Sequence, residues 1–249
     1  RRLPQGGQGP DRGRARMSDS PVFPPLLNGA QAEDPFAQAC AEARQGCDAG
    51  LVLYNLGPSV LQAAIVFAPE VPLAQAMAML PLCAVGFQNA LGALAPPEVG
   101  VHLAWNGDLR LNGAICGQMR AAASDTDPHH VPDWLVVSFH VKLLPQSDTP
   151  GETPDVTTLY GEGCAEVSPV ELLEAWARHM LVALNRWDDE GAGPLHKEWT
   201  GLAWAMGDQI TYGDLTGDFT GIDENFGLLL KTDTTTHLIP LTDLLEPAP

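Results

Sequence analysis

Residues 99–120 read VGVHLAWNGDLRLNGAICGQMR, and their pattern decides the fold. Apolar and polar residues alternate, break at Asn106-Gly107-Asp108, alternate again, turn at Asn112-Gly113 and resume. That pattern predicts a β-hairpin closed by an Asn-Gly turn and preceded by a short excursion of the chain. Excursions from a regular ladder re-aim side chains, so Trp105, Asn106 and Asp108 are candidate ligand contacts. Asn112, Gly113, Cys116 and Gly117 follow as candidates on the hairpin itself. By simple alternation Cys116 shares a face with Ala114, Gln118 and Arg120, where it either lines a cleft or serves as a small core residue.

Outward from the hairpin, helices and strands mark themselves clearly. Asp34-Pro35 starts a helix, with Asp as N-cap, proline at the first helical position, and Phe36, Ala39, Cys40 and Ala43 at helical spacing. Residues 51–56 and 60–68 form two β-prone runs joined by Gly57-Pro58-Ser59. Residues 72–94 are Ala/Leu/Met-rich and apolar nearly all round, which predicts one helix buried against a sheet. The strand expected over residues 133–144 sorts its residues onto two faces. Leu135, Val137, Phe139, Val141 and Leu143 form an apolar face, and Trp134, Val136, Ser138, His140 and Lys142 a mixed one. A mixed face on a central strand is either solvent-facing or the floor of a ligand cleft, which makes Ser138 and His140 further candidates.

A polar loop at 146–154 follows, and then Ser168-Pro169-Val170-Glu171, a capping box with proline at the first helical position. It opens a long amphipathic helix through Leu172, Trp176, Met180, Leu184 and Trp187 that stops at Gly191. A short helix is expected over residues 195–203, and from residue 204 to 249 short strands and glycine turns predict a small SH3-like β-barrel. The organisation expected is therefore 1–16 a disordered extension, 17–203 an α/β (α+β) domain, and 204–249 the small β domain. The first is a mixed, largely antiparallel sheet flanked by helices.

The 249 residues carry 13 Lys+Arg against 31 Asp+Glu, a net charge of −18, and five of the basic residues lie before Met17. Such a surface repels phosphate backbones and anionic lipid, so neither nucleic acid nor membrane is an expected partner. The most apolar stretch, residues 72–95, is interrupted by Pro81, Gln88 and Asn89 and is expected to be too short to cross a bilayer. Five scattered cysteines without a Cys-x-x-Cys pair argue for reduced thiols in a cytoplasm, not for a disulfide framework or a structural zinc. His129-His130 lacks a third ligand at fixed spacing, and Asp208, Asp214, Asp218 and Asp223 lack the spacing of a calcium loop, so no metal site is expected.

The order of elements after Pro35, the segment Val101 to Gly117 and the SPVELLEAWARHMLVALNRW helix together resemble the biotin/lipoate–protein ligase family. That resemblance implies a carboxylic acid, biotin or lipoate, joined to a lysine of a carrier protein through an acyl-adenylate, with ATP and Mg²⁺ as cofactors. It also implies a Gly/Arg-rich loop, a Trp-Pro-Asn-Asp segment at the nucleotide and a catalytic lysine. This chain departs from each. The loop is replaced by Gly57-Pro58-Ser59, with no arginine between Arg44 and Arg110. The motif reads Ala104-Trp105-Asn106-Gly107-Asp108, without its Lys and Pro. After Asn112-Gly113 comes Ala114-Ile115-Cys116-Gly117, one residue shorter than in the family and without the lysine. Lys142, at the end of the mixed-face strand, is either a solvent-facing lysine or the one that substitutes for it. Cys164 sits in a ligase-type loop and not in the place of an octanoyl transferase nucleophile. Two readings follow: a ligase-family enzyme, or a catalytically inactive member that binds a small acid, a nucleotide or a carrier protein.

Overall fold

The computed structural model describes residues 20–145 and 155–249. The extension expected at 1–16 and the loop at 146–154 lie outside the described residues. Seven strands form one sheet in the order β1-β2-β3-β7-β6-β5-β4. They are β1 (Asn28–Gln31), β2 (Leu51–Leu56), β3 (Val60–Phe67), β4 (Val101–Leu103), β5 (Asp108–Leu111), β6 (Ala114–Ala123) and β7 (Leu135–Lys142). Every pairing is antiparallel except β1 with β2, so the sheet is mixed and largely antiparallel. Residues 28–31, NGAQ, are neither β-branched nor aromatic and did not announce a strand; β1 exists because the neighbouring β2 offers a free edge.

The first helix, α1 (Pro35–Arg44), begins as expected, with the Asp34 carboxylate accepting from the Ala37 N–H at 3.1 Å. The single apolar helix expected over 72–94 is two: α2 (Leu73–Ala76) and α3 (Met79–Leu94). Pro81 is the reason, because it has no N–H to give the carbonyl of Met77. The Leu80 N–H takes that carbonyl in a tight turn at 3.0 Å, and Pro81 falls in the first turn of α3, where no donor is required. Leu73–Leu94 taken together is long and apolar enough to cross a membrane, with mean hydropathy 1.5, contrary to the sequence expectation. Yet 72% of its most apolar 18-residue window is buried inside the protein, which marks it as a core segment.

The long helix α4 (Pro169–Glu190) is capped by Ser168 and ends at Gly191, whose φ of +77° stops it. It packs across α3, where a Cβ on Gly86 would stand 3.1 Å from the Met180 backbone, so glycine sets how closely the two helices approach. Trp176 of α4 sits edge-on to Phe139 of β7 at 4.9 Å and donates its indole N–H to the Cys83 carbonyl at 3.1 Å. Buried aromatics of this kind each contribute about 1.5–3 kcal/mol from removed surface. After α5 (Gly193–Leu202), β8 (Gln209–Tyr212), β9 (Leu215–Ile222), β10 (Leu228–Lys231) and β11 (Thr236–Ile239) make the expected small β module. It is an antiparallel sheet in the order β11-β10-β9-β8. Its Phe219, Phe226, Leu228 and Leu230 join the same apolar core as α3, α4 and the large sheet.

The two faces of the large sheet differ. Leu135, Val137, Phe139 and Val141 of β7 and their neighbours lie in the large core under α3 and α4, as their alternation predicted. The opposite face is covered by α1 at one end, where Phe36, Ala39, Cys40 and Ala43 meet Leu53, Ala64, Val66, Ala122, Trp134 and Val136. Beyond α1 no helix covers the same face among the described residues.

Candidate functional site

On that open face the register of five strands brings one polar residue from each into a single row. Asn55 of β2 pairs with Gln62 of β3, Gln62 with His140 of β7, His140 with Gln118 of β6, and Gln118 with Asp108 of β5. Directly paired residues point to the same side of a sheet, so the five side chains share the face left bare by α1. Lys142 follows His140 on the same face, beside Val60, and Ser138 precedes it in register with Arg120. Sequence reasoning found the β7 column and the Asp108 end. It missed Asn55 and Gln62, because strand pairing over many residues has no local signature.

The electrostatics of the row are set by who is already engaged. The Arg120 guanidinium lies 4.3 Å over the Phe36 ring and 3.6 Å from the Glu246 carboxylate. The other arginine of the sheet, Arg110, bonds the Gly113 carbonyl at 2.7 Å and covers the Trp204 ring. Lys142 makes no ion pair among the described residues. His140 is held below the usual imidazole range by burial, then by the nearby Arg120 and Lys142 cations, with Asp108 opposing. It is therefore a neutral donor and acceptor at pH 7. Ser138 is 3% exposed, and its hydroxyl has no hydrogen-bond partner among the described residues. At the far end of the row the Asn55 amide donates to the Glu33 carbonyl at 2.9 Å. A recess of about 410 Å³, lined in part by Glu33 and Asn55, opens there beside the start of α1.

The remaining candidates lie elsewhere. Trp105 is 6% exposed and turned into the junction with the β module, its indole N–H donating to the Phe226 carbonyl at 2.7 Å and its ring edge-on to Tyr212 at 5.2 Å. Asn106 is exposed and bonds Asp108 from its amide at 3.0 Å. Asn112 and Gly113 form the expected tight turn, with φ of +50° and +94°. The Asn112 side chain is spent within the fold, accepting from the Gly100 N–H and donating to Glu162. Gly117 lets β6 approach β7, since a Cβ there would meet the His140 carbonyl at 2.1 Å. Cys116 corrects the simple alternation. A register shift between Leu109 and Arg110 puts an extra residue in β6, and Cys116 is turned away from Gln118 and Arg120 into the apolar core. Burial pushes its thiol up to about 12, and it donates to the Lys142 carbonyl at 3.6 Å. All five cysteines are unpaired.

The profile of the biotin/lipoate A/B protein ligase family matches residues 23–201. The chain belongs to the biotin/lipoate A/B protein ligase family. Residues 206–247 match a domain of unknown function. Among solved structures, a biotin protein ligase-like protein of unknown function from Silicibacter sp. TM1040 is 59% identical. The match covers 92% of this chain and all of that one, with a TM-score of 0.88. Biotin protein ligase from Aquifex aeolicus is 16% identical over 86% of this chain and 96% of its own, with a TM-score of 0.69. The same ligase in complex with biotin and ATP is 18% identical over 86% and 95%, with a TM-score of 0.65. These two share the fold. No curated protein matches this sequence significantly.

Proposed function

We propose that the open face holds a small carboxylic acid of the biotin or lipoate kind and that this chain does not convert it to an acyl-adenylate. The observation that carries the reading is that four neutral polar side chains, Asn55, Gln62, His140 and Gln118, lie in a row beside Lys142, which makes no ion pair among the described residues, with Asp108 closing the far end. Lys142 supplies a charge-assisted hydrogen bond to a carboxylate, and His140, Gln118 and Gln62 supply directional partners for the rest of a polar headgroup. Burial of His140 excludes water from part of the row and strengthens each of these bonds.

ATP and Mg²⁺ do not fit this face. Phosphates need a cradle of backbone amides and guanidinium groups, and β2 and β3 are joined here only by Gly57-Pro58-Ser59. Arg120 and Arg110 are committed to Phe36, Glu246, Trp204 and Gly113. The surrounding protein, at a net charge of −18, repels a triphosphate. The test is titration calorimetry of the chain with biotin, lipoate, octanoate and ATP. The proposal predicts heat from at least one acid and none from ATP; ATP binding would return the chain to the ligase reading.

A further inference from the structure

On the other side of the sheet, away from the polar row, a second cavity of about 510 Å³ lies under the C-terminal half of α4. Its floor is core: Ile65 and Phe67 of β3 with Ala76 and Met79. Its lining also takes in Leu184 and the exposed residues Leu26, Glu70 and Asp188. This volume suits an organic molecule of ordinary size, where binding sites run to about 300–1,000 Å³. A neighbouring cavity of about 380 Å³ continues past Trp187 and Asp188 to Glu224 of the β module. Among the described residues no lysine, arginine or histidine lines either cavity, and three acidic residues, Glu70, Asp188 and Glu224, border a largely apolar cleft.

Leu26, which lines the cavity, is 79% exposed and leaves its apolar surface to the cleft. Asp188 and Glu70 favour a positive charge on a ligand, because an anion here would meet two carboxylates and, among the described residues, no cation.

We propose that this cleft is a separate binding site for a small amphiphilic cation, an apolar body carrying one protonated amine. The apolar body fills the Ile65–Met79 floor, and the ammonium lies between Glu70 and Asp188. The site is independent of the polar row, from which it is separated by the sheet.

The test compares decylammonium, decanol and decanoate, which share one chain and differ in charge, by calorimetry on the full chain carrying Lys142→Ala, so that acid binding at the polar row does not enter the comparison. Decylammonium is expected to bind about tenfold or more tighter than decanoate. Glu70→Gln with Asp188→Asn, both at exposed positions, is expected to erase that preference while leaving decanol unaffected. Asn185→Trp, on the exposed rim, is expected to weaken all three. Equal binding of the three probes, or no binding of decylammonium, overturns the proposal. A dimer in sedimentation equilibrium that Val182→Glu dissociates would give the cleft to a second copy of the chain and overturn it as well. Lys142→Ala, at the polar row, is expected to leave decylammonium binding unchanged.

Discussion

The indole of Trp105 donates to the Phe226 carbonyl across 2.7 Å, and through it the β4–β5 excursion is fastened to the small β module. Trp105→Phe keeps most of the ring and leaves that buried carbonyl without its donor, a loss of about 1–3 kcal/mol. Trp105→Ala also empties the space against Tyr212 and is expected to cost about 3–5 kcal/mol. Urea unfolding measures both, and a Trp105→Ala chain as stable as the parent would show the contact to be incidental.

The same excursion depends on Gly107. Its φ of +93° favours glycine, and a Cβ there would stand 2.4 Å from the Met119 carbonyl. Gly107→Ala therefore combines strain with a backbone clash and is expected to cost about 2–4 kcal/mol. Gly46 has a similar φ of +85° with open space around it, so Gly46→Ala is expected to cost only about 1 kcal/mol. The difference between the two midpoints of unfolding is the readout.

Two histidines give pH dependences of opposite sign. Burial and the neighbouring Arg120 and Lys142 lower the His140 pKa in the folded protein. The unfolded chain then takes a proton first, so stability is unaffected well above about pH 6.5 and falls as pH drops below it, until the folded pKa is reached. His130 is raised, first by its hydrogen bond to Asp125 and then by Asp127. Its contribution is present in full below about pH 6.5 and fades as pH rises through the raised value. Denaturation midpoints between about pH 5 and 8 separate them: His140→Gln should remove the acid-side loss, and His130→Ala the acid-side gain.

Much of this was legible in the chain. Asp34-Pro35 and Ser168-Pro169 gave the helix starts because capping is local chemistry, and alternation along residues 135–141 sorted the faces of β7 correctly. Cys116 shows the limit of alternation, since one extra residue in β6 turned its side chain from the cleft to the core. Gln62 and Asn55 were invisible as site residues because their place depends on pairing with a strand some eighty residues away. Trp105 carried a family motif, but its neighbour Phe226 lies 121 residues on, and only the fold brings them together.

Lys142 is expected to carry the affinity for an acid. Removing a charge-assisted hydrogen bond costs about 1.5–3 kcal/mol, so Lys142→Ala should weaken acid binding roughly 10- to 150-fold. Stability should change little, because Lys142 makes no ion pair among the described residues. Affinity unchanged by Lys142→Ala would move the acid elsewhere.

Acid-dependent exchange of pyrophosphate into ATP separates a face that binds an acid from one that activates it. With biotin, lipoate or octanoate present, no exchange above the protein-free background is expected, for the parent chain and for Lys142→Ala alike. Exchange by the parent chain that depends on one of these acids and disappears in Lys142→Ala would contradict the proposed function, and would make Lys142 the lysine of a working ligase.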